Sequence, residues 1–474
     1  MIQYLRKLLL FGILVSNLQL ATSSSALTKF LNHPKLNTAS VSIMVKNLET
    51  GKVIASHNSN KAMITASTIK AVTTATALEI LGGDYQHKTY LAIDGNIDSG
   101  GVLQGNLYLI GMGDPTLGSE KIGNQNFFDE WIRAIALSGI QAISGKLIAV
   151  ESCFSDQVIH PHWTWEDMGN YYASGVHAIS YRDNMYRIYF RSGNVGTTPE
   201  IVRTEPYISG LSFSNNVKSS TTKSDQAYIY GAPFQYNRSI YGEIPANKSE
   251  FIIRGDMPHP AVVLLNEFKS ALQVSGIESD EIEIQHVQPA NIRIIHTHLS
   301  PPLREIIKVI NQDSNNQFAE YLYKQLSLHA NGIGSFQASR NITKACWENK
   351  GFDTTALFQF DGSGLSRQNA ASASFMVHLM EYMYKTSKNA FDFKSSLAVS
   401  GTSGTFKNFM NTSAMRGKVY GKSGTISMVR SYTGYVDASK GTLAFAVLVN
   451  HAHASSRDVA AIIEQFLTTV ATKN

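Results

Sequence analysis

Ser67-Thr68-Ile69-Lys70 heads a stretch in which Ile69, Val72, Thr73, Thr76, Ala77 and Ile80 recur at three- and four-residue steps, up to Gly82-Gly83. That period predicts a helix over 67–81, stopped by the glycine pair. Three residues make almost one helical turn, so Ser67 and Lys70 share a face with Cβ atoms about 5–6 Å apart. A serine hydroxyl is a poor nucleophile and needs a base beside it. A lysine accepts a proton only when burial or nearby positive charge lowers its pKa, and Lys422 is a candidate for that charge. Ser67 at a helix N-terminus also meets the positive end of the dipole, which favours an oxyanion. Taken alone, the same four residues read as an N-cap serine with a solvated lysine.

Two later segments change that balance. Ser314-Asn315-Asn316 interrupts a helical pattern, with Ile306, Ile307, Val309 and Ile310 before it and Phe318, Ala319, Tyr321 and Leu322 after it. Three polar residues in such a context are costly if buried without partners. Ser314 suits a proton relay between lysines, and Asn316 suits holding Lys70 or a substrate amide; a turn between two helices is the plainer alternative. Lys422-Ser423-Gly424-Thr425 precedes a strand-like run. A cation and a hydroxyl on an edge strand, followed by a glycine that lets a ligand approach the backbone, suit a terminal carboxylate. S-x-x-K recurs at Ser220-Thr221-Thr222-Lys223, and S-x-N at Ser192, Ser214 and Ser387. Order and the single K-[ST]-G match carry the specificity. The second S-x-x-K lies in the polar stretch Asn215 to Asp225, expected to be an exposed loop.

Around these motifs the chain reads as an α+β protein. Val41 to Val45 alternates as a half-buried strand, and Val53-Ile54-Ala55 returns after the Glu49-Thr50-Gly51-Lys52 turn. Val429 to Val436 and Leu443 to Val449 read as strands, and Arg457 to Val470 as an amphipathic helix. Strands from both ends sharing one antiparallel sheet, with helices beside it, make a catalytic domain of residues 24–85 and 289–474. The middle is rich in short strands, turns and glycine. It is expected to be inserted: 86–185 with 255–288 as a second, β-rich domain, and 186–254 as a third nested in it.

Composition agrees with a globular, core-forming chain of 474 residues, with 43% hydrophobic and 16% charged residues. Met1 to Ser23 reads as a secretory signal peptide: Arg6 and Lys7, the short apolar run Leu8 to Val15, then Ala21-Thr22-Ser23. That run is too short to span a bilayer. Export to the periplasm or the exterior of the cell envelope is expected, with peripheral membrane association left open. A formal net charge of +5, with no basic cluster interleaved with aromatics, gives no support to a nucleic-acid partner. The two cysteines, Cys153 and Cys346, are expected to stay unpaired. Three H-x-H pairs, His160/His162, His296/His298 and His451/His453, lack a third ligand at suitable spacing, so no metal or cofactor is expected.

With these residues in hand, the chain resembles the class C low-molecular-mass penicillin-binding proteins, the D-alanyl-D-alanine carboxypeptidase/endopeptidases of the penicillin-binding protein 4 type. The resemblance extends to Gly113-Asp114-Pro115-Thr116-Leu117 and Asp361-Gly362-Ser363-Gly364-Leu365-Ser366-Arg367, and covers almost all of the chain after the signal. It implies a serine β-lactamase/DD-peptidase-like catalytic domain carrying nested insertions. It implies Ser67 as the acylated nucleophile, Lys70 as its base, and Ser314, Asn316 and Lys422 as the rest of the proton network. The N–H groups of Ser67 and Thr425 would form the oxyanion hole, with Ser423, Gly424 and Thr425 along the substrate carboxylate. Ser363 and Arg367 would cradle the peptide side chain, and Asp167, with Tyr172, would receive the amino group of a diamino acid. Peptidoglycan stem peptides are the implied substrates and β-lactams the implied covalent inhibitors. Glu166 to Asn170 matches the E-x-x-x-N of class A β-lactamases, but its order along the chain is wrong. The competing readings are a β-lactamase or esterase of the same fold, or a catalytically idle cell-wall binding protein.

Overall fold

The computed structural model describes residues 25–155 and 157–474; the expected signal peptide lies outside them. The chain divides into two compact units, one of residues 1–83, 307–315 and 340–474, the other of 84–306 and 316–339. The boundaries differ from the expected 24–85 and 289–474 in two places. Arg293–Leu299 pairs antiparallel with Lys88–Ile93 and so joins the second unit's sheet. Residues 316–339 also group with that unit. The expected third domain, 186–254, is grouped there too rather than standing alone.

In the first unit, β1 (Ser40–Asn47) and β2 (Val53–His57) form the expected hairpin. Helix α1 spans Lys70–Leu81 and ends where Gly82, at φ 82°, turns the chain. The later elements are α2 (Leu303–Gln312), of which residues 307–312 belong to this unit, α3 (Asn316–Asn331), which belongs to the second, and then, in this unit, α4 (Ala373–Lys385), β3 (Val419–Ile426), β4 (Val429–Ala438), β5 (Gly441–Asn450) and α5 (Ser456–Lys473). The sheet runs β2-β1-β5-β4-β3, closed at one end by the two-residue strand Ala398–Val399, so strands from both chain ends lie side by side. Register sorts the faces. Ile43, Val45, Phe445, Val447 and Val449 join Tyr432, Val419, Phe466 and Leu467 in the core under α5, while α4 packs on β1 and β5. Burying a branched or aromatic side chain in such a core stabilises by about 1.5–3 kcal/mol.

The second unit has its own core, built on Leu91, Leu109, Trp131, Ile188, Phe268 and Leu272. Two helices that the strand-rich reading missed, Phe127–Leu137 and Pro260–Val274, contribute to it. The stretch from Asn215 is a further correction. Ser212–Ser220 is a strand, parallel to Asn237–Pro245, and it buries Val217 and Ser219 while Ser214, Asn216 and Lys218 face solvent. The alternation was hidden because its inward side is mostly polar.

Candidate active site

The nucleophile candidate sits on a 3-10 turn, Ala66–Ile69, rather than inside the predicted α-helix, which begins at Lys70. Ala66 holds φ 45°, a left-handed conformation that costs a non-glycine residue energy and recurs at functional sites. The turn leaves Ser67 partly exposed while Lys70 is fully buried. Helix α1 is buried on every side over Lys70 to Leu78, not along one stripe. Its threonines tolerate this because their hydroxyls donate back to carbonyls: Thr74 to Lys70 O at 2.8 Å, Thr76 to Val72 O at 2.7 Å and Thr73 to Gly362 O at 2.7 Å.

Lys70 Nζ donates to Ser67 Oγ at 3.0 Å and to the carbonyl of Ser363 at 2.5 Å. Asp361, itself fully buried, holds the loop that presents this carbonyl. It accepts from Gly364 N at 2.7 Å, Ser366 N at 2.7 Å and Asn369 Nδ2 at 2.7 Å. Gly364 is required there: at φ +85° a Cβ would lie 2.1 Å from Ala66 O. Ser363 is thus placed differently from the expectation. Its side chain is buried, with Oγ accepting from Leu365 N at 3.2 Å, and its main chain supports the base. Arg367 is exposed.

The second serine–lysine pair is assembled from distant segments. Ser314 lies in the joint between α2 and α3, at φ 58°, and not within a helix. Its Oγ accepts from Lys422 Nζ at 2.8 Å. Lys422 lies inside β3 rather than before a strand, is fully buried, and also donates to Ser423 O at 2.8 Å. Burial pushes its pKa well below the ordinary lysine value, and the positive charges of Lys70 and Arg430 push it the same way.

The strand Ala398–Val399 pairs only with Tyr420 and Gly421, so among the described residues no strand pairs with that edge of β3 from Lys422 onward. At Gly424 a Cβ would lie 2.5 Å from Thr65 O and 3.0 Å from Ser67 N, so glycine lets β3 close on the Ser67 turn. Ser431 Oγ, donating to Thr65 O at 2.5 Å, fixes that approach from β4. Ser423 Oγ donates to Thr405 Oγ1 at 2.8 Å, and Thr425 is exposed at the strand end.

Ser67, Lys70, Ser314, Ser363, Arg367 and Lys422 to Thr425 all belong to the first unit; Asn316, Asp167 and Tyr172 belong to the second. These three are linked to one another. Asn316 Nδ2 donates to Tyr172 O at 2.8 Å, and Tyr172 hydrogen-bonds Asp167, which also accepts from Thr164 Oγ1 at 2.7 Å. Burial raises the Tyr172 pKa, and the Asp167 charge adds to it.

Among the described residues no group of three His, Cys, Asp or Glu side chains is arranged to hold a metal. His296 Nε2 and His298 Nδ1 instead share Glu130, at 2.6 and 3.1 Å. His160 packs on Phe336, ring centroids 4.9 Å apart. Both cysteines are free thiols. Sequence reasoning missed Asp361 as the loop's anchor and Arg430 as a neighbour of the site. An acid ahead of a glycine–serine run was the available sign of the first, and a lone arginine after a tight hairpin the sign of the second.

Residues 23–470 match the D-Ala-D-Ala carboxypeptidase 3 (S13) family. A D-alanyl-D-alanine carboxypeptidase of an Actinomadura species is 28% identical over 451 residues, which cover 91% of this chain and 81% of that protein. Penicillin-sensitive carboxypeptidase A of Dictyostelium discoideum is 26% identical over 453 residues, 87% and 83% of the two chains. The crystal structure of penicillin binding protein 4 from Haemophilus influenzae shares the fold, with a TM-score of 0.80 at 22% identity over 93% of this chain and 97% of that one.

Proposed function

The chain belongs to the D-Ala-D-Ala carboxypeptidase 3 (S13) family, and on that premise we propose that Ser67 is the nucleophile of a serine DD-peptidase acting on peptidoglycan stem peptides. The observation that carries the reading is Lys70 Nζ, held between Ser67 Oγ at 3.0 Å and the Ser363 carbonyl at 2.5 Å. A lysine fixed by a carbonyl is aimed at the hydroxyl it must deprotonate. Ser67 Oγ attacks the carbonyl of the penultimate D-alanine, and its proton passes to Lys70. The oxyanion is met by the N–H groups of Ser67 and Thr425. The leaving amine takes its proton through Ser314, whose hydroxyl bonds Lys422. Water then cleaves the acyl-enzyme.

D-alanine fits as the leaving amine, and so does a cross-linking diamino acid whose amino-bearing side-chain carbon carries a free carboxylate, because each puts that carboxylate beside the scissile bond. Asp167, the acid partner of Tyr172, is assigned to the amino group of a diamino acid on family resemblance alone. Asn316 is retained in the proton network on the same ground, and its amide suits holding Lys70 or the substrate amide. The basic and apolar leader Met1 to Ser23 supports export to the periplasm or the envelope exterior.

Intact-mass spectrometry after incubation with benzylpenicillin, on wild type and Ser67→Ala, tests the reading. A stable penicilloyl adduct on wild type alone is expected. No adduct with the drug intact would sink the enzyme, and no adduct with the drug consumed would make it a β-lactamase.

A further inference from the structure

The hairpin between β3 and β4 places Arg430 directly across the ladder from Thr425. One guanidinium nitrogen donates to Thr425 Oγ1 and another to Tyr432 OH. The guanidinium carbon lies 4.9 Å from the Tyr432 ring centroid, and that ring stacks on Phe409 at 4.1 Å and 11°. The cation is therefore held on an aromatic shelf, with most of the entropy of its long side chain already lost. Among the described residues Arg430 makes no ion pair, and its buried Nε has no hydrogen-bond partner. Glu464 on α5 is the acid that feels its charge, but burial raises the Glu464 pKa and weakens it as a counter-ion. A positioned, unneutralised guanidinium beside an exposed hydroxyl is half of an anion site.

The other half is the free edge of β3. Ser423, Thr425, Arg430 and Tyr432 share one face by register, and an extended peptide can lie along the unpaired edge. By accepting from Arg430, Thr425 Oγ1 keeps its own proton free to donate outward. Lys422 is an unsuitable sole receptor, since its Nζ is occupied by Ser314 Oγ and Ser423 O. Resting on the DD-peptidase reading, we propose that Arg430 is the residue that makes the enzyme demand a free C-terminal carboxylate, by orienting the Thr425 hydroxyl and supplying the permanent positive charge at that end of the site. Its charge also bears on Lys422 through space, which gives the proposal a second readout.

The test compares two peptides that differ in one group, a D-Ala-D-Ala terminus with a free carboxylate and its C-terminal amide, on wild type, Arg430→Gln and Arg430→Lys. In Arg430→Gln the acid-to-amide ratio of kcat/KM should fall by about tenfold or more, chiefly through KM for the acid. Arg430→Lys keeps the charge without the fork and should fall between. With one positive charge gone, the acidic limb of the kcat/KM profile should move to higher pH in Arg430→Gln. An unchanged ratio in Arg430→Gln overturns the proposal. If that variant does not fold, Arg430→Lys decides, and a wild-type KM for the acid overturns it. Wild type that cleaves neither peptide and takes no penicilloyl group would bring down the DD-peptidase reading itself, a different failure.

Discussion

The two serine–lysine pairs have the same chemistry and opposite origins. Ser67 and Lys70 are three residues apart, and the 3-10 turn brings them within 3.0 Å of each other, with the Ser363 carbonyl steadying the lysine. Ser314 and Lys422 are 108 residues apart, and their 2.8 Å bond depends on a helix joint and a strand arriving together. The local pair contains the attacking atom; the assembled pair contains a lysine held well below its ordinary pKa. On the proposed mechanism the first pair performs the attack and the second carries the proton to the leaving amine.

The largest expected effect separates them. Lys70→Ala should slow penicillin acylation by about a thousandfold or more, since it removes the base from the nucleophile. Ser314→Ala should cost roughly a hundredfold, because water can stand in for a relay. Stopped-flow acylation rates measure both, and a larger loss in Ser314→Ala would reverse the assignment of roles. Gly424→Ala comes next. Its methyl would press on Thr65 O and Ser67 N, so the oxyanion donors shift while the pairs survive. A loss of roughly ten- to a hundredfold in acylation with a retained thermal midpoint is expected; a wild-type rate would show that β3 can retreat without consequence.

Legibility followed the same division. The Ser67–Lys70 pair, the hairpin of β1 and β2, and the strands β4 and β5 could be read because each is set by local period or spacing. Lys422 was recognisable as a motif, but its burial and its bond to Ser314 are tertiary facts. Ser363 is expected from the resemblance to cradle the substrate's side chain, whereas its carbonyl holds Lys70, and no sequence pattern reports a main-chain role. The strand Ser212–Ser220 escapes because its inward side mixes Phe213 and Val217 with Asn215 and Ser219, which blurs the apolar alternation. Asn316 could be placed beside Ser314 in sequence, but not its bond to Tyr172 O, which closes across 144 residues.

A third buried lysine gives the smallest and most discriminating prediction. Lys324, on α3 in the second unit, donates to Gln157 O at 2.7 Å and Val176 O at 3.2 Å, between the rings of Phe154 and Phe336. Burial lowers its pKa to about 7, against the opposing influence of Cys153 and Glu320. Below about 7 the folded and unfolded chains both hold the proton, so this group adds no pH dependence. Between about 7 and the 10.5 of an ordinary lysine, only the unfolded chain holds it. Stability therefore rises with pH across that window, by up to about 1.4 kcal/mol per pH unit for one proton. Lys324→Met should remove one proton's share of the rise seen in wild-type denaturant midpoints, and should leave penicillin acylation within about twofold of wild type, a change inside ordinary mutational scatter. Lys422, also held below its ordinary pKa by burial, contributes a rise of the same sign below 10.5, which Lys422→Met should remove while also abolishing turnover. If Lys324→Met silenced acylation as well, burial alone would no longer separate a lysine that packs from one that transfers protons, and the contrast between the two serine–lysine pairs would have to be drawn from their hydroxyl partners instead.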